Sequence, residues 1–360
     1  MIEIQCSGTP FEIGYQHGTV ARDKVEGSLA FYRGLFQSSC RLDWASVLQE
    51  AAKYVEFLRG DCPRYYEEMQ GISEGANVDI LDIVALNVRT EINFGLFTAD
   101  QSLPVQSDGC TSVAYKNQTG DVLLAQNWDW QKEQAANLFV CHISQPGTSL
   151  PDISMVTEGG VIGKIGFNSS GVGVCLNAIR ARGVNVSRYP IHVALRKALE
   201  SGSARAAAEA IERIGTAGSG HILVSDQSEA LGLECTNFGI KELQLNNEGI
   251  LVHTNHLLLE HAGVEEVPWL GDSPRRLDRF NRLITNAVAS TAFSKDSLFE
   301  LFKDENGYPS SINRRQTESC KSETLFNIIM DLAARKGTVS VGRPTEQSQR
   351  IEIALRSNEQ

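Results

Sequence analysis

Asp108-Gly-Cys-Thr-Ser-Val-Ala-Tyr115, then Asn117-Gln-Thr-Gly120, then Val122-Leu-Leu-Ala-Gln-Asn-Trp-Asp129 form two short apolar runs joined by a polar turn. That pattern reads as a β-hairpin. A turn centred on Gln118 and Thr119 places Cys110 opposite Asn127, with Asp129 two residues on along the same face. Both side chains could then reach the start of the first strand, although a slip of one residue would undo this.

The chemistry at that strand start is specific to the residue types. Gly109 has no side chain, so a group can approach its carbonyl closely. A thiol attacking that carbonyl gives an N-to-S acyl shift, and hydrolysis of the thioester leaves Cys110 as a new N-terminus. The α-amine so created has a reference pKa of about 8 and can serve as a base on the nucleophile's own residue. A carboxylate such as Asp129 could orient it. The same residues equally describe an ordinary loop-to-strand junction, with Asp129 a solvated turn residue.

Working outward, the chain changes character near residue 105. Before it, apolar residues recur at three-to-four spacing over Thr19 to Gln37 and Asp43 to Arg59, predicting helices. Pro63 opens a further helix that stops at Gly75, and Ile80 to Thr90 reads as another. Residues 97 to 109 are polar and aperiodic, as in a surface loop. Beyond Cys110, strands are expected at 110–115, 122–127, 138–144, 153–157, 161–167 and 172–178. A helical block follows at 191–214. Strands resume at 222–225, 230–236, 242–245 and 250–253, then helices at 274–287 and 296–303. The stretch 325–333 reads as helix or strand, and strands close the chain at 338–341 and 351–354. Helices, many antiparallel strands, helices and strands again predict an α+β layered fold with two sheets and helical outer layers.

Composition narrows the function. The chain has 360 residues, 42% of them hydrophobic, which suffices for a large core. Its net charge of -11 and lack of a basic stripe argue against nucleic acid and anionic membrane surfaces. No apolar run approaches the roughly 20 residues of a membrane span. The first residues lack a basic, then apolar, leader, so the expected compartment is the cytoplasm. The eight cysteines form no Cys-x-x-Cys pair and are expected as reduced thiols. His253 and His256 flank Asn255, but no third ligand cluster accompanies them, so neither a metal nor another cofactor is expected.

Further stretches carry a resemblance. They include Gly8-Thr-Pro-Phe-Glu-Ile-Gly-Tyr15, Leu86-Asn-Val-Arg-Thr-Glu91, Asp108-Gly-Cys-Thr111 and Gln126-Asn-Trp-Asp129. Thr157-Glu-Gly-Gly-Val-Ile-Gly-Lys-Ile-Gly-Phe-Asn168, Val252-His-Thr-Asn-His256, Thr324-Leu-Phe-Asn-Ile-Ile329 and Gly342-Arg-Pro-Thr345 continue it to the other end. In order and over nearly the whole length, the chain resembles the fungal acyl-CoA:isopenicillin N (6-aminopenicillanate) acyltransferases of the N-terminal nucleophile hydrolase superfamily. The resemblance implies a four-layer αββα sandwich and a precursor cut between Gly109 and Cys110. Residues 1–109 and 110–360 would form two fragments that stay associated in one domain. It implies Cys110 as nucleophile, Asp129 holding its amine, Asn255 as oxyanion donor and Arg314 completing the site, with Ser219 tied to self-cleavage. Asn127 remains an alternative oxyanion donor or a structural partner, and Arg315 an alternative to Arg314. The implied substrates are an acyl donor, acyl-CoA or an amide, and a small-molecule amine. Two other readings stay open: an amidohydrolase with water as acceptor, and an unprocessed, inactive paralogue. Ser310-Ser-Ile-Asn-Arg314 departs from the family's run there, and the final residues are not a peroxisomal tripeptide.

Overall fold

The computed structural model describes residues 1–96, 109–267, 270–289 and 293–356. A strand, β1 (Ile2–Ser7), opens the chain. Helices α1 (Pro10–Val20), α2 (Arg22–Ser39), α3 (Trp44–Ala52), α4 (Val55–Asp61), α5 (Pro63–Ala76), α6 (Ile80–Asn87) and α7 (Arg89–Gly95) follow. Strands β2 (Thr111–Lys116), β3 (Val122–Trp130), β4 (Leu138–Ser144), β5 (Ile153–Glu158), β6 (Ile165–Asn168) and β7 (Gly173–Ala178) come next. After α8 (Ile191–Leu199) and α9 (Ala204–Ile214) come β8 (Gly220–Ser225), β9 (Ala230–Cys235), β10 (Ile240–Gln244) and β11 (Ile250–His253). Helices α10 (Ser273–Val288) and α11 (Lys295–Leu301) precede β12 (Glu323–Asp331), β13 (Lys336–Val341) and β14 (Gln349–Ala354).

Local chemistry accounts for the boundaries. Thr9 and Glu12 close a capping box in front of Pro10, the first residue of α1. Asp43, Asp79, Ser203 and Ser294 cap later helices through their side-chain oxygens. Gly14 and Gly18 of α1 lie against the backbone of α5, and Gly71 and Gly75 of α5 against that of α1, with no room for a Cβ at any of the four. Glycine there lets the two helices touch main chain to main chain.

The described strands form two sheets. One runs β1-β4-β5-β6-β7-β8-β9-β10 and the other β11-β2-β3-β12-β13-β14. Only the β1–β4 pair is parallel. The sheets face each other through β2, β3, β7 and β8. Helices α1, α2, α8 and α9 pack on the outer face of the first sheet. Helices α10 and α11 cover the second, where Phe280, Ile284, Leu298 and Phe302 meet Val113, Tyr115, Ala125 and Ile329. The result is the four-layer αββα sandwich. Both faces of β2 and β3 are buried, which is why they read as continuous apolar runs. Among the described residues no helix is long and apolar enough to cross a membrane.

Several expectations change. The helices expected at 43–59 and 80–90 are each broken, into α3 and α4 and into α6 and α7. β1 is absent from the sequence reading, although its residues alternate exposed and buried. The predicted strand 161–167 begins only at Ile165, because Gly163 packs on the His192 carbonyl of α8 and bends the chain. The ambiguous stretch 325–333 belongs to β12, a strand inside the second sheet. The hairpin register differs by one: Thr111, not Cys110, pairs with Asn127. The physical reason is the turn. Asn117 N–H donates to the Asp121 carbonyl at 2.9 Å, and Gly120 takes φ 99°, so the loop runs 117–121 and centres on Thr119. The polar stretch 97–109 lies, apart from Gly109, outside the described residues.

Candidate active site

A strand pairing builds the first part of the site. β11 runs antiparallel to β2, with His253 opposite Ser112. Two residues further along each chain, Asn255 meets Cys110. The Cys110 N–H donates to Asn255 Oδ1 at 2.8 Å. Asn255 is itself fixed: its N–H donates to Ser273 Oγ at 2.8 Å and its Nδ2 to the Ala178 carbonyl at 3.0 Å. Arg276 Nη2 also donates to Asn255 Oδ1, at 2.9 Å. Two donors on one amide atom identify that atom as the oxygen.

Arg276 is the hub, and sequence reading does not single it out. Its Nη1 donates to the Cys110 carbonyl at 2.8 Å and to Thr111 Oγ1 at 3.1 Å, and its Nε to Asp272 Oδ2 at 2.7 Å. The guanidinium therefore grips the nucleophile candidate, its neighbour and Asn255 together. The available signal is an acid-base pair at i,i+4 spacing where α10 begins, Asp272 and Arg276.

A second buried arginine lies on the other side of the Gly109–Cys110 bond. Arg314 is fully buried. Its Nη2 bonds Asp272, its Nη1 donates to Cys320 Sγ at 3.2 Å, and its Nε lies 3.4 Å from Asp129 Oδ2. Asp129 Oδ1 accepts from Thr324 Oγ1 at 2.7 Å, where β12 carries a bulge that shifts its register against β3. The Gly109 α-carbon sits against the Arg314 guanidinium so closely that a Cβ would collide with it. Here glycine is demanded by close approach.

Two arginines and two aspartates balance in charge, as burial requires. Burial would lower the Arg314 pKa, but Asp272 and Asp129 outweigh it and hold it above the usual value. Burial would likewise raise Asp272, yet Arg276 and Arg314 keep it below the ordinary carboxylate range. The same guanidinium, against the effect of burial, pulls the Cys320 thiol below its usual pKa.

The remaining expected residues sort as follows. Arg315 is partly exposed and pairs with Glu346, so the geometry selects Arg314. Asn127 is not brought to Cys110. Its Nδ2 donates to the carbonyls of Phe302 at 3.1 Å and Ile312 at 2.9 Å, and its Oδ1 accepts from Asn327. The one-residue register difference puts it on the helix-covered face, opposite Thr111, as a structural anchor. Ser219 lies just before β8 with a buried hydroxyl that has no hydrogen-bond partner among the described residues. Asn313 bonds Glu305 and Thr345, bracing its own loop. His253 and His261 share the Glu234 carboxylate, and His256 bonds Ser273. Among the described residues no group of three or more His, Cys, Asp or Glu side chains is arranged to hold a metal ion.

Comparison with known proteins agrees with this frame. The family described as acyl-coenzyme A:6-aminopenicillanic acid acyl-transferase matches residues 115–346. The acyl-coenzyme A:6-aminopenicillanic-acid-acyltransferase 40 kDa form of Emericella nidulans is 39% identical over 350 residues, 96% of this chain and 93% of that protein. The chain belongs to this acyltransferase family. Among solved structures, penicillin V acylase from Agrobacterium tumefaciens superposes with a TM-score of 0.50 at 12% identity, over 70% of this chain and 89% of its own. That likeness shows a shared N-terminal nucleophile hydrolase fold. A conjugated bile acid hydrolase from Clostridium perfringens gives a TM-score of 0.48 at 13% identity, over 68% of this chain and 92% of its own.

Proposed function

We propose that this family member is a self-processing acyltransferase that cuts itself between Gly109 and Cys110. It then uses Cys110 to pass an acyl group from acyl-CoA, or an amide, to the amine of a small molecule such as 6-aminopenicillanic acid. The observation that carries the reading is the double grip on Cys110: its N–H on Asn255 Oδ1 and its carbonyl on Arg276.

In processing, Cys110 Sγ attacks the Gly109 carbonyl carbon. The C–S bond forms, the C–N bond breaks, and the Cys110 nitrogen takes the proton. Water then cleaves the thioester, leaving a Gly109 carboxylate and a free thiol. Arg314, packed on Gly109 and held beside Asp129, is assigned to offset the charge that develops on that carbonyl. Ser219, whose buried hydroxyl has no hydrogen-bond partner among the described residues, is assigned a supporting part in this step.

In turnover, the new α-amine still donates to Asn255 Oδ1, which turns its lone pair toward the thiol as general base. The thiol attacks the acyl donor and the CoA thiol departs. The acceptor amine then attacks the acyl-enzyme carbonyl, the C–N bond forms as the C–S bond breaks, the amide leaves, and the amine's proton passes through the α-amine back to Cys110 Sγ. An oxyanion role for Asn255 requires its Nδ2 to leave the Ala178 carbonyl. In this reading Asn255 orients Cys110 through the backbone N–H that it accepts.

The two fragments should stay together after the cut. β1 pairs with β4, Arg89 bonds Glu158, and Glu68 bonds Arg196, all across the two pieces. The test is release of CoA from an acyl-CoA with and without 6-aminopenicillanic acid. Release that depends on the amine and yields an amide supports transfer. Release that ignores the amine points to hydrolysis, and no release removes acyl-CoA as donor.

A further inference from the structure

The two histidines of Val252-His-Thr-Asn-His256 have no part in the mechanism above, yet one of them holds the peptide that carries Asn255. His253 ends β11 and is fully buried. Its Nε2 lies 3.0 Å from Glu234 Oε1, and its Nδ1 lies 2.9 Å from the Thr254 carbonyl oxygen. Glu234, on β9, gathers further donors from the loop beyond Asn255. Its Oε1 also accepts the Leu258 N–H at 2.5 Å, and its Oε2 accepts the Leu259 N–H at 3.0 Å and His261 Nε2 at 3.0 Å. Four donors on two oxygens mark an ionised carboxylate. Burial would raise its pKa, but the bonds from His253 and Leu258 keep it below the ordinary carboxylate value.

An ionised carboxylate and a carbonyl can only accept. A ring set between them bonds both when each of its nitrogens carries a proton, so His253 is an imidazolium with Glu234 as its buried counter-charge. The other titratable groups that face the pair fit this. His221 of β8 stacks on the His253 ring at 3.6 Å between centres, and burial, then His253, hold its pKa far below the ordinary value. Burial, then His253 and Arg276, push His256 down to about 4. Burial raises Glu266, whose Oε1 accepts the Leu257 N–H at 3.1 Å. The Thr254–Asn255 peptide is then gripped from both sides, its carbonyl by His253 Nδ1 and its N–H by Ser273 Oγ at 2.8 Å.

We propose that Glu234 is a positioning residue for Asn255: by holding His253 with a proton on each ring nitrogen, it fixes the Thr254–Asn255 peptide and so the Asn255 oxygen that receives the Cys110 N–H. This rests on Asn255 orienting Cys110, as the proposed function has it. The contact itself, Cys110 N–H to Asn255 Oδ1 at 2.8 Å, belongs to the uncut chain and can be read there without any turnover.

The test is nuclear magnetic resonance on the uncut Cys110→Ala chain at neutral pH, with and without Glu234→Gln. Residue 110 keeps its backbone N–H in both. Glutamine is neutral and its NH2 cannot accept, so it removes the counter-charge and part of the grip on the loop. Two quantities are read: hydrogen exchange of the residue 110 amide, and the nitrogen-15 shifts of the His253 ring, assigned by their loss in His253→Gln. The parent should show two protonated ring nitrogens on His253, and Glu234→Gln one. Exchange at residue 110 should rise roughly tenfold in Glu234→Gln, while amides of β3 and β12 keep their protection. Unchanged exchange at residue 110 in folded Glu234→Gln, or a parent His253 ring with one protonated nitrogen, overturns the proposal. Should Glu234→Gln not fold, exchange at residue 110 is read in His253→Gln by the same criterion. A wild type that never cuts itself counts against self-processing, and the exchange result still decides this proposal.

Discussion

Acidification from about pH 8 to about pH 5 should stabilise this protein through Glu91, and replacement of that residue should erase the effect. Glu91 lies on α7 and is fully buried. Its Oε1 accepts the Ile191 N–H at 2.8 Å, while Oε2 has no hydrogen-bond partner among the described residues. Burial disfavours the charged form, and against weaker opposition from backbone N–H groups and Arg89 it pushes the pKa from 4.5 up to about 7. The sign follows from proton counting. Between these two values the folded chain holds a proton that the unfolded chain releases, so stability falls as pH rises. The contribution is whole below the unfolded value and gone above the folded one. It amounts to about 3 kcal/mol in full, with roughly 2.5 kcal/mol of it lost between about pH 5 and about pH 8. Glu91→Gln keeps an oxygen for Ile191 and cannot ionise. Urea unfolding with and without Glu91→Gln across that range, both in a Cys110→Ala background so that each protein is one chain, isolates the term. The difference in unfolding free energy should shrink with rising pH by about that amount. A difference that stays flat would refute the reasoning.

Arg276→Lys should be costly although charge is kept. An ammonium cannot reach Asp272, the Cys110 carbonyl and Asn255 together, so at least one charge-assisted bond is lost. Urea unfolding should show a loss of roughly 2–3 kcal/mol, and the processing rate should fall with it. Asn127→Ala should separate structure from chemistry. It leaves two buried carbonyls, those of Phe302 and Ile312, without their donor. Stability should drop by roughly 2–5 kcal/mol, while self-cleavage at temperatures where the protein stays folded should match wild type.

Much of the architecture is local and therefore visible in the sequence. Pro10 after Thr9, Pro63 and the Asp and Ser caps mark helix starts, and continuous apolar runs mark the strands around Cys110. What stays hidden depends on distant partners or on a single residue of spacing. β1 pairs with β4, more than a hundred residues away, and nothing in its six residues announces that. The hairpin turn reads as even when Gly120 and Asp121 make it odd, and one residue is enough to move Asn127 to the opposite face. The site divides the same way. Cys110 is legible from its junction with Gly109. Asn255 and Arg314 enter through the resemblance, and the β11–β2 register explains the first of them. Arg276 escapes the sequence because its significance is where its side chain ends, on a residue 166 positions away, Cys110.

The central claim is a cut between Gly109 and Cys110, and the intact mass of the purified protein under denaturing conditions tests it most directly. The account predicts two species, matching residues 1–109 and 110–360, and a single uncut chain for Cys110→Ala. A wild-type protein that remains one species of 39.4 kDa would contradict it.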